Sequence, residues 1–169
     1  GRCTRQNAYA HLGYPVNGKE IDSRAKMVFF QGDMAELAVV SLLRHVGVKI
    51  VSTYPTQENV SLEGIVGHPD GIVEVEGDRY LLEVKSMSSF GYEKFDKGEI
   101  DSTYIYQVNA YMEALGLDKC VFIALNKDAG VLGEIILKRD SSIVFDIKNR
   151  IKIITTATKE KLPDQDFKP

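Results

Sequence analysis

The sequence lacks three features, each of which would define a class of protein. It has no apolar run of the roughly 18 residues that a transmembrane helix needs, so we expect no membrane partner. It has only two cysteines, too few for a disulfide scaffold, which favours a location inside the cell, such as the cytoplasm. It has no excess of positive charge: the formal net charge is -3 at pH 7, which argues against a protein that binds nucleic acid by bulk charge alone.

The composition that is present fits one mixed globular domain. Of the 169 residues, 44% are apolar and 27% are charged, and no repeat, low-complexity tract or linker divides the chain. We therefore predict a single domain over 1–169, with 160–169 as a loose tail. Cys120 lies in an apolar run and is expected to be a buried small hydrophobic residue.

Apolar periodicity and turn residues predict an α/β order of elements. A tight turn at Gly77-Asp78 should join two strands into a hairpin. The predicted helices cover 3–12, 24–46, 101–115 and 140–154; the predicted strands cover 48–54, 64–76 with a break at 68–70, 79–87, 119–126 and 131–138; and 89–98 is a loop or an irregular helix.

The longest predicted helix, 24–46, rests on apolar residues that recur every three or four positions. Gly32 lies inside this pattern and costs about 1 kcal/mol relative to alanine, so it should either break the helix or admit a close neighbour. The apolar series consists of Met27, Phe30, Met34, Leu37, Ala38 and Leu42.

The strand 79–87 carries a charged pair in the middle of one face. Side chains alternate along a strand, so Glu83 and Lys85 share a face. Such a pair is often solvated, but here it is flanked on the same face by Leu81 and Met87, which better fits the floor of a cleft.

A third charged residue, Asp70, interrupts the preceding strand. Pro69-Asp70-Gly71 is a common turn sequence, yet a break within a strand also redirects a side chain. Counting outward from the hairpin turn places Asp70 near Glu83 or Lys85. Two carboxylates and a lysine brought together in this way suit a divalent cation.

Four further residues are candidates. Glu36 lies on the long helix among apolar neighbours, although a surface position is the simpler interpretation. Gln107 and Tyr111 are four positions apart and share a helical face, for which core packing is the alternative. His68 is close enough to Asp70 to line the same site.

Taken in order, these residues resemble a known family. The succession Gly32-x-x-x-Glu36, Gly67-x-x-Asp70, Glu83-x-Lys85 and Gln107-x-x-x-Tyr111 resembles the PD-(D/E)XK nuclease superfamily, in its RecB-like branch. That branch includes phage recombination exonucleases and the CRISPR-associated exonucleases that process new spacers.

The resemblance implies a restriction-endonuclease-like fold, with a central mixed β-sheet flanked by helices. It also implies a DNA exonuclease of recombination, repair or phage DNA processing, which uses Mg²⁺ or Mn²⁺ and acts on single strands or duplex ends. Its products carry a 5′-phosphate and a 3′-hydroxyl. An endonuclease of the same fold and a non-catalytic nucleic-acid-binding domain are the alternatives.

The roles that follow from the resemblance are distributed over the candidate residues. Asp70, Glu83 and the backbone carbonyl of Val84 would hold the metal, and Glu36 would complete the site. Lys85 would position the attacking water and offset developing negative charge. Gln107 and Tyr111 would orient the metal site or the DNA backbone.

The segment Cys3–Tyr9 also resembles the cysteine-led first helix of family members that bind a four-iron cluster. Those members supply three more cysteines near the C-terminus, where this sequence has none. One terminal cysteine cannot hold a four-cysteine cluster, so we expect no iron–sulfur cluster in this chain as it stands.

Overall fold

The computed structural model describes residues 3–15, 21–53, 55 and 59–166. Tyr54 of the predicted strand 48–54 and residues 167–169 of the predicted tail lie outside them. No helix in these ranges has the length and apolar character of a membrane span. The elements are α1 (Thr4–His11), α2 (Ser23–His45), β1 (Lys49–Thr53), β2 (Val60–Leu62), β3 (Ile65–Gly67), β4 (Gly71–Val75), β5 (Asp78–Met87), α3 (Ser89–Asp96), α4 (Ser102–Leu115), β6 (Lys119–Asn126), β7 (Val131–Lys138) and α5 (Ser141–Thr155).

A five-stranded mixed sheet forms the centre of the fold, in the order β1-β4-β5-β6-β7. Strands β5 and β6 are parallel, and the other neighbours are antiparallel. Parallel neighbours need a crossover connection, which α3 and α4 supply. The predicted α/β class with a central mixed sheet flanked by helices is confirmed.

Apolar residues cover both faces of β5, which makes it the central strand of the core. Leu81 belongs to a cluster with Val108 and Met112 of α4, on one face of the sheet. Leu82 belongs to a second cluster with Val39 of α2, on the other face. A charged side chain on β5 is therefore held between two packed layers. Cys120 is fully buried, as predicted.

The predicted strand 64–76 is two strands, β3 and β4, and the break at 68–70 is confirmed. Strand β2 was not predicted; it pairs with β3 in a separate two-stranded sheet. The hairpin turn predicted at Gly77-Asp78 lies one residue earlier, because Asp78 pairs with Val75. The turn is Glu76-Gly77, with φ of 54° and 88°. This two-residue hairpin turn needs a positive φ at both positions. Glycine adopts a positive φ readily, but a glutamate in the sequence gives no indication of one, so Glu76 was not predicted as a turn residue.

Helix α2 is confirmed, but its apolar series lies on the solvent side. Ala35, Val39 and Val40 are the buried residues of this helix. The series Met27, Phe30, Met34, Leu37, Ala38 and Leu42 is exposed. Both expectations for Gly32 are wrong within the described residues: the helix continues through it, and a Cβ there would meet no atom within 4 Å.

The segment predicted as a loop or irregular helix is the regular helix α3, which Ser88 caps by accepting a hydrogen bond from the Gly91 N–H. The helix predicted from Asp101 is α4, with the Asp101 side chain as its N-terminal cap and Gly116 at its end. Asp140 caps α5 in the same way.

The segment that follows α5 makes specific contacts with α1. The Thr4 backbone N–H donates to Asp166 Oδ1 at 2.7 Å, and its hydroxyl donates to Oδ2 of the same carboxylate. Arg5 Nε donates to the Pro163 carbonyl at 2.6 Å. These bonds join the first helix of the described chain to its last residues.

Replacing Asp166 with alanine should lower the free energy of unfolding at pH 7 by about 1 kcal/mol, since the carboxylate is partly solvated. Asp164→Ala, at an exposed position in the same segment, is the control. Urea unfolding of both variants against wild type measures the difference. Equal midpoints for Asp166→Ala and wild type would contradict a stabilising role.

The same difference should depend on pH. Burial would raise the pKa of Asp166, but the hydrogen bonds from Thr4 outweigh it and lower the pKa from 3.8 to about 2. A lowered pKa stabilises the fold above the ordinary value and ceases to do so as the pH falls through the lowered one. The urea midpoints of wild type and Asp166→Ala should therefore converge between pH 4 and pH 2.

Candidate active site

Asp70 reaches the centre of the site because β4 stops pairing with β5 at Gly71. Gly71 pairs with Leu82, so the next position outward brings Asp70 beside Glu83. The Asp70 Oδ2 atom accepts a hydrogen bond of 2.7 Å from the Val84 N–H. The Thr53 hydroxyl donates to the Asp70 carbonyl at 3.1 Å. The Asp70 carboxylate thus takes the place of a backbone carbonyl on β4 and accepts the hydrogen bond from the Val84 N–H.

Glu83 and Lys85 project from the same face of β5. Glu83 is fully buried, whereas 23% of the Lys85 side chain is exposed. Lys85 Nζ forms an ion pair with Glu83 Oε1 and donates to the Val84 carbonyl at 3.3 Å. It also lies 5.5 Å from the centre of the Tyr104 ring. Neither Glu83 oxygen accepts a hydrogen bond of normal geometry from the described residues.

Glu36 enters the site from α2. Its Oε1 atom is buried and has no hydrogen-bond partner among the described residues. Burial, then the charges of Asp70 and Asp33, raise the pKa of Glu36 to about 7, against a smaller lowering by Lys85. Glu36 is therefore part of the same electrostatic cluster.

The other charges respond to the same surroundings. Burial, followed by the charge of Asp70, raises the pKa of Glu83 to about 7. Burial also raises the pKa of Asp70, against the opposing effects of Lys85 and the Val84 N–H. Burial would lower the pKa of Lys85, but Glu83 and Asp70 outweigh it and raise the pKa. Three acids thus surround one ammonium group, an arrangement that favours an additional cation.

The donor set fits a hard divalent cation. Carboxylate and carbonyl oxygens are the ligands that Mg²⁺ prefers, and Asp70, Glu83 and the Val84 carbonyl supply them, with Glu36 alongside. The observation that supports this fit is that Glu83 Oε2 and Glu36 Oε1 are buried and have no hydrogen-bond partner among the described residues. Within the described residues, no three Asp, Glu, His or Cys side chains already form a metal-binding group. The Lys85 ammonium group contacts Glu83 and the Val84 carbonyl instead.

Glu36, Asp70 and Lys85 line an open cleft of about 480 Å³ between α2 and the ends of β5 and β6, whereas the fully buried Glu83 does not. The lining residues that the sequence had indicated are Gly32, Glu36, Asp70, Val84 and Lys85. Asp33 could have been predicted from the sequence, because it lies three positions before Glu36 and therefore shares a helical face with it. The lining residues that the sequence did not indicate are Val28, Phe29, Gln31, Asp33, Ser86 and Lys127.

The structure does not bring His68 into this cleft. The residue is exposed, and it is not among the residues that line the cleft with Asp70. The turn that directs the Asp70 side chain towards β5 leaves His68, two positions earlier, at the surface.

Gln107 and Tyr111 lie behind the site. Gln107 Nε2 donates to the Tyr111 hydroxyl at 3.2 Å. The Tyr111 ring occupies the space that a Cβ on Gly67 would need, so glycine is required there. Gly67 ends β3, three residues before Asp70. The pair thus contacts the base of the turn that carries Asp70, and neither residue lines the acid cleft.

Gly67→Ala should displace this turn, because the added methyl group would overlap the Tyr111 ring. We expect a loss of about 1–3 kcal/mol in stability, as for overpacked sites. Hydrogen exchange of the Val84 amide should also accelerate, since Asp70 moves away from it. Urea unfolding and NMR-detected exchange measure the two effects.

Gly91→Ala is the matched control, because a Cβ there meets only ordinary contacts of 3.6 Å or more. It should leave Val84 exchange unchanged. Unaltered protection of Val84 in Gly67→Ala would show that Tyr111 does not position the turn.

Comparisons with known proteins support the fold. No protein-family model matches the chain, and no curated protein matches it. The alkaline exonuclease LHK-Exo of Laribacter hongkongensis superposes with a TM-score of 0.61 at 18% identity, over 75% of this chain and 66% of that one. This chain therefore spans just under two thirds of that structure. The complex of LHK-Exo with dAMP gives a TM-score of 0.59 at 19% identity, over 89% and 84% of the two chains. The chain has the fold of this exonuclease, as the resemblance to RecB-like nucleases implied.

Proposed function

We propose that the chain is a metal-dependent deoxyribonuclease that hydrolyses phosphodiester bonds and acts as an exonuclease. The observation that carries the proposal is that Asp70, in the turn before β4, lies beside Glu83 and Lys85 of β5, and that Asp70 and Lys85 line an open cleft. The shared fold with an alkaline exonuclease supports it. DNA, as a single strand or a duplex end, is the proposed substrate.

The chemistry demands strong electrostatic stabilisation. Enzymes reach rate enhancements of about 10¹⁷ and more on such slow reactions, while one general acid or base contributes only about 10²–10⁴. Asp70, Glu83 and the Val84 carbonyl would hold Mg²⁺ or Mn²⁺, with Glu36 completing the site. The bound ion would offset charge on the phosphate and lower the pKa of water.

Lys85 acts as a cation in this proposal. Its raised pKa keeps the ammonium group protonated at neutral pH, so it donates hydrogen bonds and does not act as a base. It would orient the attacking water and stabilise charge on the phosphate oxygens. Water forms the new bond to phosphorus as the bond to the 3′ oxygen breaks, which leaves a 5′-phosphate and a 3′-hydroxyl.

Glu36 would act beside the primary ligands. Its carboxylate borders the cleft and interacts electrostatically with Asp70 and Glu83. From this position it would hold a water on the metal or a second ion. The acidic cluster would bind cations, and the bound cations would in turn allow the anionic phosphate backbone of DNA to approach.

Lys85→Ala should reduce Mg²⁺-dependent cleavage of linear single-stranded DNA about 10²- to 10³-fold, the usual cost of removing a positioned donor at a developing charge. Lys119→Ala is the matched control, since this lysine is also on a strand but pairs with exposed Asp78. It should retain wild-type activity. Circular dichroism verifies that both variants fold.

Asp70→Asn should abolish metal-dependent cleavage while the protein stays folded, because the amide oxygen still accepts from the Val84 N–H. A gel assay with Mg²⁺, Mn²⁺ or EDTA measures this. A wild-type chain that cleaves no DNA with either metal would make the non-catalytic alternative correct.

A time course on circular and linear single-stranded DNA separates the two kinds of nuclease. An exonuclease degrades the linear form and spares the circle, because it needs an end. Rapid cutting of the circle would establish the endonuclease alternative.

A further inference from the structure

The mouth of the acid cleft contains an exposed aromatic ring. Phe29 on α2 is 60% exposed and lines the cleft together with Asp70 and Lys85. Val28 beside it is 51% exposed. Within the described chain, no aromatic ring packs against Phe29. The buried residues of α2 begin only at Ala35, so among the described residues the first turns of the helix have no side chain in the core.

The same cleft is also lined by a cation that has no acidic partner among the described residues. Lys127 follows β6 directly, is exposed, and forms no ion pair with the described residues. Its backbone N–H donates to the Met87 carbonyl at 2.9 Å. The Asn126 side chain accepts hydrogen bonds from Asp128 and Ala129, which fixes the turn. The backbone of Lys127 is therefore held in place, and its side chain lines the cleft that Glu36 and Asp70 also line.

The cleft continues beyond the acid cluster. Gln31, Ser86 and Lys127 also line a neighbouring cleft of about 470 Å³, which extends along α2 past Met34. An extended chain of several units can therefore lie along α2 and pass the acidic residues. A polynucleotide matches this path, because its anionic phosphates recur along the chain and each nucleoside between them carries a flat base that can stack on an exposed ring.

We propose that Phe29 and Lys127 form a nucleotide subsite beside the scissile phosphate, and that this subsite requires an unpaired strand. The base stacks on the Phe29 ring, and an adjacent phosphate contacts the Lys127 ammonium group. Stacking on a protein ring needs a base whose face is free, which the interior of a duplex does not provide. This inference rests on the proposed function, since it names the form of DNA that the site accepts.

The effect on kinetics should be specific to binding. Stacking on an aromatic residue contributes enough that Phe29→Ala should raise KM for linear single-stranded DNA about 5- to 150-fold, with kcat little changed. Phe29→Trp should restore the wild-type KM, because the indole ring also stacks. Phe145→Ala, at a ring on α5 that is 68% exposed, is the control and should behave as wild type.

Stacking also has a direct optical signature. A single-stranded oligonucleotide that contains 2-aminopurine should lose fluorescence on binding to Asp70→Asn, which is expected to leave the DNA intact. The loss should disappear in Asp70→Asn/Phe29→Ala. Lys127→Ala should reduce the slope of the logarithm of the binding constant against the logarithm of the salt concentration by about one unit, while Lys127→Arg should retain the wild-type slope.

The outcomes separate this inference from the proposed function. Wild-type KM and wild-type quenching in the Phe29→Ala variants would overturn the subsite, even if cleavage is confirmed. Conversely, quenching that depends on Phe29 in a chain that cleaves nothing would support the subsite and refute the nuclease. Equal KM for blunt duplex and single-stranded DNA would overturn the requirement for an unpaired strand.

Discussion

The hydrogen bond from the Val84 N–H to Asp70 Oδ2 is the interaction on which the site depends. Strand β4 ceases to pair with β5 at Gly71, and the next β5 amide on that side would lose its partner. A buried amide without a partner costs about 1–3 kcal/mol, so the Asp70 carboxylate stabilises the sheet as it takes its place. The bond also fixes Asp70 beside Glu83. Thr53 holds the same turn from β1, and Tyr111 packs against its base at Gly67.

The cluster built around this bond is unfavourable for the fold alone. Glu83 is fully buried, and burial together with neighbouring acids raises the pKa values of Glu83 and Glu36 to about 7. One ammonium group, that of Lys85, partly offsets the three acids. Charges that destabilise a fold in this way are typical of functional sites, where the arrangement is completed by a ligand. The proposed divalent cation would supply the missing positive charge.

Local sequence patterns predicted the central sheet and the pair Glu83 and Lys85, because both depend on alternation within a strand and on a hairpin between strands that are adjacent in sequence. The alternation along β5 and a short hairpin bring Asp70 to Glu83. A turn placed one residue late would have put Asp70 opposite Lys85 instead, which lies on the same face of the strand, so the predicted cluster was the same. The exposed side of α2 was not predictable, since periodicity shows that a helix has an apolar face but not what covers it. Lys127 and the contact of Tyr111 with Gly67 were missed because both depend on packing between segments distant in sequence.

The central claim is that Asp70, Glu83 and the Val84 carbonyl form a divalent-metal site. A crystal of the protein soaked in Mn²⁺, with anomalous diffraction recorded near the manganese edge, tests it most directly. The expected result is one strong peak, about 2.0–2.3 Å from oxygens of all three groups, with the Lys85 ammonium group moved away from Glu83. A peak bound by other acidic residues, or no peak between Asp70 and Glu83 at saturating Mn²⁺, would contradict the claim.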